Sequence, residues 1–292
     1  MPEILKVTPD LIKGLVIPRI VSSRKGDNGI VLVVGGNRIY HGAPLLASMA
    51  ALRSGTDLVY TAVPRSNIIP IKSFSPAIIA LPLADDKLTV GSTNRLMTIL
   101  PKRPDTAAIG MGMSIAKPEA LLRLIRHLKN DGTKLLLDAS ALIPPVLKEI
   151  SGTGTVVTPH AGEYIRIFGD RDLGKSIEEQ VSHVQRYAEQ YGITIILKGY
   201  INIVSDGRYT AVIKRDNPAM TVGGIGDVLS GLVAGLLTKT KPFDASLLGI
   251  YFNGIAANIA YNSAGLHLIA TDLIENLPHA MKSFDLINED RV

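Results

Sequence analysis

The chain has no cysteine and no tryptophan among its 292 residues. Without cysteine it can form no disulfide and no cysteine-ligated metal site, and it carries no thiolate nucleophile. Aromatic residues make up only 5% of the sequence, and no long basic run occurs, so the stacking platforms of nucleic-acid-binding proteins are missing. The composition therefore predicts neither thiol chemistry nor a nucleic-acid partner.

Long apolar runs are also missing, since none reaches the ~20 residues that a membrane helix needs. The first turns of sequence carry Glu3, Lys6 and Asp10, a pattern that does not fit a signal peptide. We therefore expect no membrane partner and a cytoplasmic protein. The net charge of +5 mildly favours an anionic small molecule as ligand. No repeat, linker or shift in composition marks a boundary, so residues 1–292 are predicted to form a single domain.

Apolar runs that end in glycine, proline or polar residues predict an α/β fold. The run Ile30–Val34 predicts a buried strand, followed by a helix over 43–53 and a strand over 58–63, which make a βαβ unit with parallel strands. Residues 202–204 and 209–213 predict an antiparallel hairpin, and residues 1–29 have an irregular pattern. Further strands are predicted over 77–81, 106–109, 134–137, 155–157 and 193–197, and further helices over 118–129, 176–191, from Asp227, from Phe243 and over 271–283.

Chemically capable residues follow the predicted strands, each at the point where a strand ends. In open parallel sheets, ligands bind outside the carboxyl ends of the strands. We therefore expect these strand ends to converge on one edge of the sheet and to form the functional site. The strand ends are Gly35-Gly36-Asn37, Gly110-Met111-Gly112, Asp138, His160 and Lys198-Gly199.

The stretch from Val222 to Gly231 combines Gly223, Gly224 and Gly226 with Asp227 and then a helical apolar pattern. A glycine turn that leads into a helix exposes unpaired backbone N–H groups, which attract phosphate. A carboxylate beside an anion site is explained if it removes a proton from the group that attacks the phosphate. Two simpler interpretations stay open: tight loop packing for the glycines, and a favourable charge at a helix N-terminus for Asp227.

Three strand-end side chains allow more than one interpretation. His160 is either a satisfied polar residue or a hydrogen-bonding contact for a substrate. Lys198 either binds phosphate as a point charge or lies at the rim. Asp138 could orient water around a magnesium ion, which leans on substrate phosphates rather than on a protein cage. No set of metal ligands follows from the sequence.

With these residues in view, the chain resembles the ADP/ATP-dependent NAD(P)H-hydrate dehydratases of the ribokinase-like superfamily. The Gly-Gly-x-Gly-Asp element is shared across that superfamily, whereas the Gly-Ala-Pro and Thr-Pro-His-x-Gly-Glu segments are particular to the dehydratases. The matching stretches are 25–27, 33–37, 40–44, 50–55, 109–112, 138–139, 158–163, 197–199 and 217–227.

The resemblance implies a ribokinase-like three-layer α/β/α fold with a central, mostly parallel sheet. It also implies a repair reaction on hydrated NADH or NADPH (NADHX and NADPHX): phosphorylation of the ring hydroxyl, then loss of phosphate. By similarity, the hydrate would contact Ala43, Gly112, His160 and Asp227, with Asp227 catalytic. The nucleotide would be held by Lys198, Gly199, Tyr200, Ile201, Asn202 and Gly226, with Gly223 and Gly224 completing the anion turn.

The resemblance further implies ADP, or else ATP, as phosphoryl donor, Mg²⁺ as cofactor, and a homo-oligomer such as a tetramer. Two departures from the family pattern stand out: Ser140 replaces a common aspartate, and Met111 and Met113 alter a Gly-Pro-Gly-Leu-Gly loop. The alternative is a small-molecule kinase of the same fold, for example of the hydroxyethylthiazole kinase type. A third, non-enzymatic interpretation is a nucleotide sensor, which would have no need for Asp227.

Overall fold

The computed structural model describes residues 3–170, 173–174 and 176–289. Its regular elements alternate along most of the chain, as the apolar runs predict. The strands are β1 Glu3–Leu5, β2 Arg19–Ile20, β3 Ile30–Val34, β4 Leu58–Pro64, β5 Ile79–Leu83, β6 Thr106–Ile109, β7 Lys134–Leu137, β8 Val156–Val157, β9 Thr194–Leu197, β10 Ile201–Ser205, β11 Tyr209–Lys214 and β12 Ile287–Asn288. The helices are α1 Pro9–Leu15, α2 Gly42–Arg53, α3 Ile68–Phe74, α4 Val90–Ile99, α5 Pro118–Asn130, α6 Val146–Ile150, α7 Ala161–Phe168, α8 Ile177–Tyr191, α9 Ile225–Leu237, α10 Pro242–Ala264 and α11 Ala270–Met281.

Within the described residues, ten strands form one sheet in the order β1-β11-β10-β9-β8-β7-β6-β3-β4-β5. All neighbouring pairs from β9 to β5 are parallel. Strand β10 runs antiparallel to both β9 and β11, so the predicted hairpin is confirmed. The prediction of a central, mostly parallel sheet is likewise confirmed.

Each face of the sheet buries its own layer of helices. In β3, Val31 and Val33 point into one core, shared with α2, α9, α10 and α11. Ile30, Leu32 and Val34 point into the other core, shared with α4, α5, α7 and α8. Because successive side chains of a strand alternate between faces, a strand covered on both sides reads as one continuous apolar run. The arrangement is therefore a three-layer α/β/α fold.

The prediction of an irregular pattern over residues 1–29 is wrong, because β1, α1 and β2 lie there. Strand β1 pairs in parallel with β11, a partner about two hundred residues away that local sequence does not reveal. Helix α1 begins after Thr8, whose hydroxyl accepts the Leu11 N–H, and buries Ile12. None of the described helices is long and apolar enough to cross a membrane.

Candidate active site

The carboxyl ends of β3, β6, β7, β8 and β9 lie side by side, because these strands are consecutive neighbours in the sheet. The Gly36 N–H donates to the Met111 carbonyl at 2.8 Å, which joins the two glycine loops. His160 and Lys198 form a parallel bridge just beyond β8 and β9. The expected convergence of strand-end residues on one edge of the sheet is thus observed.

Ala43 and Gly112 form one wall of this edge. Gly112 has φ +60°, a conformation that favours glycine. A Cβ atom placed on Gly112 would lie 3.0 Å from the Ala43 Cβ and 2.8 Å from the Tyr40 Cβ. The loop after β6 therefore packs directly on the start of α2, and only a residue without a side chain allows that approach. Met111 and Met113, the departures in this loop, are both buried in the core.

Helix α9 carries Asp227 in its first turn and leads from Gly224, which has φ +95°. That φ favours glycine, and a Cβ on Gly224 would lie 2.9 Å from the Ala270 Cβ of α11. Farther along α9, Gly231 packs against the Ala47 carbonyl. Helix α2, with Ala43, and helix α9, with Asp227, are thereby locked together at close range. The first N–H groups of α9 have no partner within the helix and remain available for an anion.

A buried ion pair lies beneath the glycine turn. The Lys198 Nζ donates to the Asp138 Oδ1 at 2.8 Å, and a Cβ on Gly226 would lie 3.5 Å from the same nitrogen. The other oxygen of Asp138 accepts the Ser230 hydroxyl at 2.7 Å. Asp138 is only 2% exposed. Lys198 is thus held in place by a carboxylate, with its side chain 19% exposed.

The backbone around Asp138 is strained. Ala139 has φ +49°, a value that no other non-glycine residue in the described part of the chain approaches. Such a conformation costs on the order of 1 kcal/mol, and it lets the Ala139 N–H donate to the Asp138 Oδ1 at 2.8 Å. The neighbouring Ser140 N–H donates to the Gly110 carbonyl at 3.4 Å. The strain therefore accompanies the placement of the Asp138 carboxylate.

Opposing effects set the pKa values of this pair. Burial by itself raises the pKa of Asp138, but the charge and hydrogen bond of Lys198 and the hydroxyls of Ser230 and Thr158 outweigh it, so the pKa is lowered. Burial likewise lowers the pKa of Lys198, but Asp138 outweighs it with help from Glu163 and Asp227, so the pKa is raised. Both groups are therefore charged near neutral pH.

The pKa of Asp227 shifts in the opposite direction to that of Asp138. Burial raises the pKa of Asp227 to about 7, the negative charges of Asp138 and Glu163 act in the same direction, and Lys198 opposes them. A carboxylate with a pKa near 7 is a far better proton acceptor at physiological pH than an ordinary aspartate. The environment of Asp227 thus suits a general base, and the neighbouring Lys198 limits the rise.

His160 occupies the N-cap position of α7. Its Nδ1 accepts the N–H groups of Gly162 and Glu163 at 3.0 and 3.4 Å, and the Glu163 carboxylate accepts the His160 N–H at 2.9 Å. These contacts form a capping box and place the imidazole proton on Nε2. The side chain is 60% exposed, and its Nε2 lies 3.4 Å from the Glu163 Oε1. His160 therefore caps α7, and its exposed imidazole stands beside the Glu163 carboxylate.

Part of the predicted nucleotide set lines a cavity of about 280 Å³ between the β10–β11 hairpin, α9 and α10. Lys198, Gly199, Asn202 and Gly226 line this cavity, which we call the hairpin cavity, and the Asn202 Oδ1 accepts the Gly199 N–H at 3.3 Å. Other members of the set lie differently. Tyr200 is 60% exposed, the Ile201 side chain packs against a core cluster, and neither Gly223 nor Gly224 lines the cavity.

A larger cavity of about 710 Å³ lies at the opposite end of the molecule. Its walls include Gly26–Asn28, Ser54–Thr56 and Asp105, which precede strands rather than follow them. Ligands of open parallel sheets bind at the carboxyl ends, and the perturbed Asp227 lies there too. The smaller cavity is therefore the one that belongs to the candidate active site.

Several residues of the site escape sequence reasoning. Glu163 appears in the sequence only as part of a motif, yet its carboxylate lies 4.0 Å from the Lys198 Nζ. The sequence presents Ser230 as one position of an apolar helix, yet its hydroxyl donates to the Asp138 carboxylate. Asn253 and Gly254 of α10 line the hairpin cavity. The three-residue spacing of Asp227 and Ser230, which places both on one face of a helix, is the one local signal available.

Comparisons with known proteins give matches over nearly the whole chain. The family model described as Carb_kinase, NAD(P)H-hydrate dehydratase, matches residues 31–279. The ADP-dependent (S)-NAD(P)H-hydrate dehydratase of Nitrosopumilus maritimus is 49% identical over 282 residues, which cover 96% of this chain and 98% of that protein.

Two solved structures are similar to this chain in fold. The ADP/ATP-dependent NAD(P)H-hydrate dehydratase of Bacillus subtilis, co-crystallised with ATP and Mg²⁺, has a TM-score of 0.81 at 24% identity, over 95% of this chain and 98% of that one. The hydroxyethylthiazole kinase of Pyrococcus horikoshii has a TM-score of 0.62 at 16% identity, over 89% and 92%. At these identities the likeness concerns the fold alone, and it confirms the ribokinase-like architecture.

Proposed function

The chain belongs to the NAD(P)H-hydrate dehydratase family, and from that premise we propose that it restores NADH or NADPH from their hydrates at the expense of ADP. The observation that carries the proposal is Asp227: a carboxylate with its pKa raised to about 7 at the start of a helix that leads from a glycine turn. That combination pairs a proton acceptor with an anion site. ADP is the donor in the name of the Nitrosopumilus relative.

The two substrates occupy the two sides of Asp227. The hydrate ring lies against Ala43 and Gly112, which form one wall, on the side of the exposed His160 side chain. The nucleotide lies in the cavity lined by Lys198, Gly199 and Gly226, with its terminal phosphate at the free N–H groups of α9. The ring hydroxyl and the phosphorus atom then meet beside the Asp227 carboxylate.

The reaction is a phosphoryl transfer followed by an elimination. The oxygen of the ring hydroxyl attacks the terminal phosphorus of ADP while Asp227 accepts the hydroxyl proton. The bond between that phosphorus and the AMP oxygen breaks at the same time. The carbon–oxygen bond to the new phosphate ester then breaks with the help of the ring nitrogen lone pair. Phosphate leaves with the bonding electrons, and loss of a ring proton restores the double bond. The products are NAD(P)H, AMP and phosphate.

Backbone groups and Lys198 stabilise the transferring charge. N–H groups fixed at the start of a helix need no reorganisation during the reaction, which makes them effective for charge that develops in a transition state. The Lys198 ammonium lies beneath Gly226 and is oriented by Asp138. We infer that Asp138 is a positioning residue, since both of its oxygens bind groups of the protein.

Magnesium fits this site only in company with the nucleotide. Among the described residues no three His, Asp or Glu side chains are grouped as a metal site. Magnesium usually binds through substrate phosphates and several waters, so phosphate oxygens of ADP would supply most of its ligands here. When bound, the ion neutralises charge on the phosphates.

A direct assay tests the proposed activity. The protein is mixed with hydrated NADH, Mg²⁺ and either ADP or ATP, and the recovery of the reduced-nicotinamide absorbance is followed. We expect recovery with ADP and formation of AMP and phosphate in equal amounts. Absence of recovery with both nucleotides, from protein shown to be folded by circular dichroism, would contradict the proposal.

The alternative of a hydroxyethylthiazole-type kinase has weaker support. The likeness to that kinase is at 16% identity and concerns fold alone, whereas the dehydratase relative is 49% identical over nearly both full lengths. Phosphorylation of hydroxyethylthiazole with no activity on the hydrate would favour the kinase.

We also propose that the chain forms a single domain and a homo-oligomer. Size-exclusion chromatography with light scattering tests the oligomeric state. A cytoplasmic location stays a prediction.

The activity is expected to rise with pH through about 7. Asp227 must be deprotonated to accept the hydroxyl proton, and its pKa is raised to about 7, so kcat/KM falls about tenfold per pH unit below that value and levels off above it. The measurement is kcat/KM for hydrated NADH at saturating ADP from about pH 5 to about pH 9. A flat profile over this range would argue against Asp227 as the base.

Substitutions at His160 separate its two roles. Asparagine is a favourable N-cap and alanine is not, so His160→Ala is expected to lose about 1 kcal/mol of unfolding free energy while His160→Asn loses little. If Nε2 contacts the hydrate, both variants raise KM for the hydrate by roughly tenfold, the value of a lost hydrogen bond. A wild-type KM in His160→Asn would show that the residue acts only as a cap.

A further inference from the structure

Arg166 of α7 binds the backbone that follows Asp138. Its Nη2 donates to the Ala139 carbonyl at 2.6 Å and its Nε donates to the Leu142 carbonyl at 2.9 Å. Both carbonyls belong to residues 138–142, which follow β7 and are here called the Asp138 turn. A planar guanidinium suits two acceptors at once, and its charge strengthens both hydrogen bonds. Arg166 therefore clamps the Asp138 turn to α7 at two points.

The loop after β6 also contacts the Asp138 turn. The Ser140 N–H donates to the Gly110 carbonyl at 3.4 Å. A Cβ atom placed on Gly110 would lie 2.8 Å from the Ala141 Cβ, so the two segments pack directly on each other. The loop after β6 thus restrains the middle of the turn, and Arg166 restrains the residues on either side of it.

Ala139 is the residue of the turn that most needs such restraint. Its φ of +49° is unfavourable for any residue with a side chain. In this conformation the Ala139 N–H donates to the Asp138 Oδ1, the same oxygen that binds the Lys198 Nζ. Relaxation to an ordinary φ of about −60° would turn this N–H away from the carboxylate. The hydrogen bond from Arg166 to the Ala139 carbonyl therefore opposes that relaxation.

We propose that Arg166 is a positioning residue of the phosphoryl transfer, which keeps the Asp138 turn in its strained form and so aims the Asp138 carboxylate at Lys198. This inference rests on the proposed function, in which the Lys198 ammonium stabilises the transferring phosphate. Arg166 is exposed and acts through the backbone that it holds. Loss of its guanidinium is therefore expected to affect the chemical step rather than the binding of the hydrate.

The kinetics of Arg166→Met provide the first test, since methionine keeps the apolar stem and removes the guanidinium. A small displacement of the groups that act on the phosphate slows the chemical step, so kcat is expected to fall about ten- to a hundredfold. KM for hydrated NADH should stay within about threefold of the wild-type value. Arg123→Met is the matched control, because the Arg123 Nε of α5 donates to the Asn94 side chain at 2.7 Å. Equal kcat values in Arg166→Met and Arg123→Met would overturn the proposal.

A second substitution, Ala139→Gly, provides a rescue that follows only if Arg166 acts by holding the strained turn. Glycine adopts a positive φ without a steric penalty, so the turn no longer depends on the clamp. In the double variant Arg166→Met/Ala139→Gly, kcat is expected to return to within about threefold of Ala139→Gly alone. A double variant as slow as Arg166→Met would overturn the proposal.

Hydrogen exchange followed by mass spectrometry tests the same clamp without hydrate or nucleotide. The N–H groups of Ala139, Ala141 and Leu142 all donate to atoms of the turn. In a peptide that spans the Asp138 turn, Arg166→Met is expected to speed exchange about tenfold or more, and the double variant is expected to slow it again. Unchanged exchange in Arg166→Met would overturn the proposal, as would equally faster exchange in a peptide from α5, which would mean a general loss of the fold.

The two kinds of measurement separate this inference from the proposed function. A wild-type protein with no activity on the hydrate would reject the proposed function, whereas the expected exchange pattern in that protein would still support the clamp of Arg166 on the Asp138 turn. An active wild-type protein whose kcat and exchange are both unaffected by Arg166→Met would keep the proposed function and reject the role of Arg166.

Discussion

Replacement of Asp227 by asparagine is expected to lower kcat by about 10²- to 10⁴-fold, the usual contribution of a positioned general base. The amide keeps the shape of the side chain but cannot accept the hydroxyl proton. Steady-state kinetics with hydrated NADH and ADP measure the loss, and calorimetry with ADP shows whether nucleotide binding is retained. A kcat within a factor of about three of wild type would exclude Asp227 as the base.

The same variant is expected to lose activity without losing stability. The pKa of Asp227 is raised in the folded protein above its ordinary value of 3.8. The folded state therefore binds a proton more tightly than the unfolded state, and the ionised carboxylate opposes folding as the pH rises from about 4 to about 7. Asp227→Asn removes that charge. Urea unfolding at about pH 8 should accordingly show an unchanged or higher free energy of unfolding.

Asp272 supplies a matched control because it occupies the same position in α11 that Asp227 occupies in α9, the third helical residue. Its carboxylate accepts the Ile269 N–H at 2.8 Å, as expected of a residue that stabilises a helix N-terminus. Asp272→Asn should lose about 0.3–1 kcal/mol and keep full activity. If Asp227→Asn behaves like Asp272→Asn, then Asp227 is only a helix charge.

The sequence predicts the central strands well because each buried strand is a local apolar run. The bounds of β3, β6 and β7 agree with their predicted runs, each of which is apolar and ends at glycine or a polar residue. Helix α4 is missed because it carries few apolar residues and its start depends on Thr89, whose hydroxyl accepts the Ser92 N–H. Strand β1 is missed because its stability comes from distant pairing with β11.

The site is predictable to the level of strand ends and no further. Parallel pairing brings all strand ends to one edge, so the position of Asp138, His160 and Lys198 follows from the element order alone. The ion pair between Asp138 and Lys198 joins residues sixty positions apart, and Ser230 reaches Asp138 across ninety-two. No local pattern encodes such contacts, and the pKa of Asp227 depends on them.

Replacement of Lys198 by methionine is expected to be the most destabilising single change in the site. Asp138 is 2% exposed, and the variant leaves its carboxylate buried without a counter-ion. Removal of one partner of a buried pair typically costs about 3–5 kcal/mol. In the wild-type protein the lowered pKa of Asp138 keeps the pair's stabilisation complete above its ordinary value of 3.8, and this stabilisation fades as the pH falls toward the folded pKa.

A double-mutant cycle tests this account by urea unfolding of Lys198→Met, Asp138→Asn and the combined variant. Because the combined variant has no unpaired buried charge, it should lose less free energy than the sum of the single variants by about 1–3 kcal/mol. It should nevertheless remain inactive, since the ammonium beneath Gly226 is gone and a neutral amide replaces the carboxylate that held it. Additive losses, or a loss below about 1 kcal/mol in Lys198→Met, would mean that the pair does not support the fold.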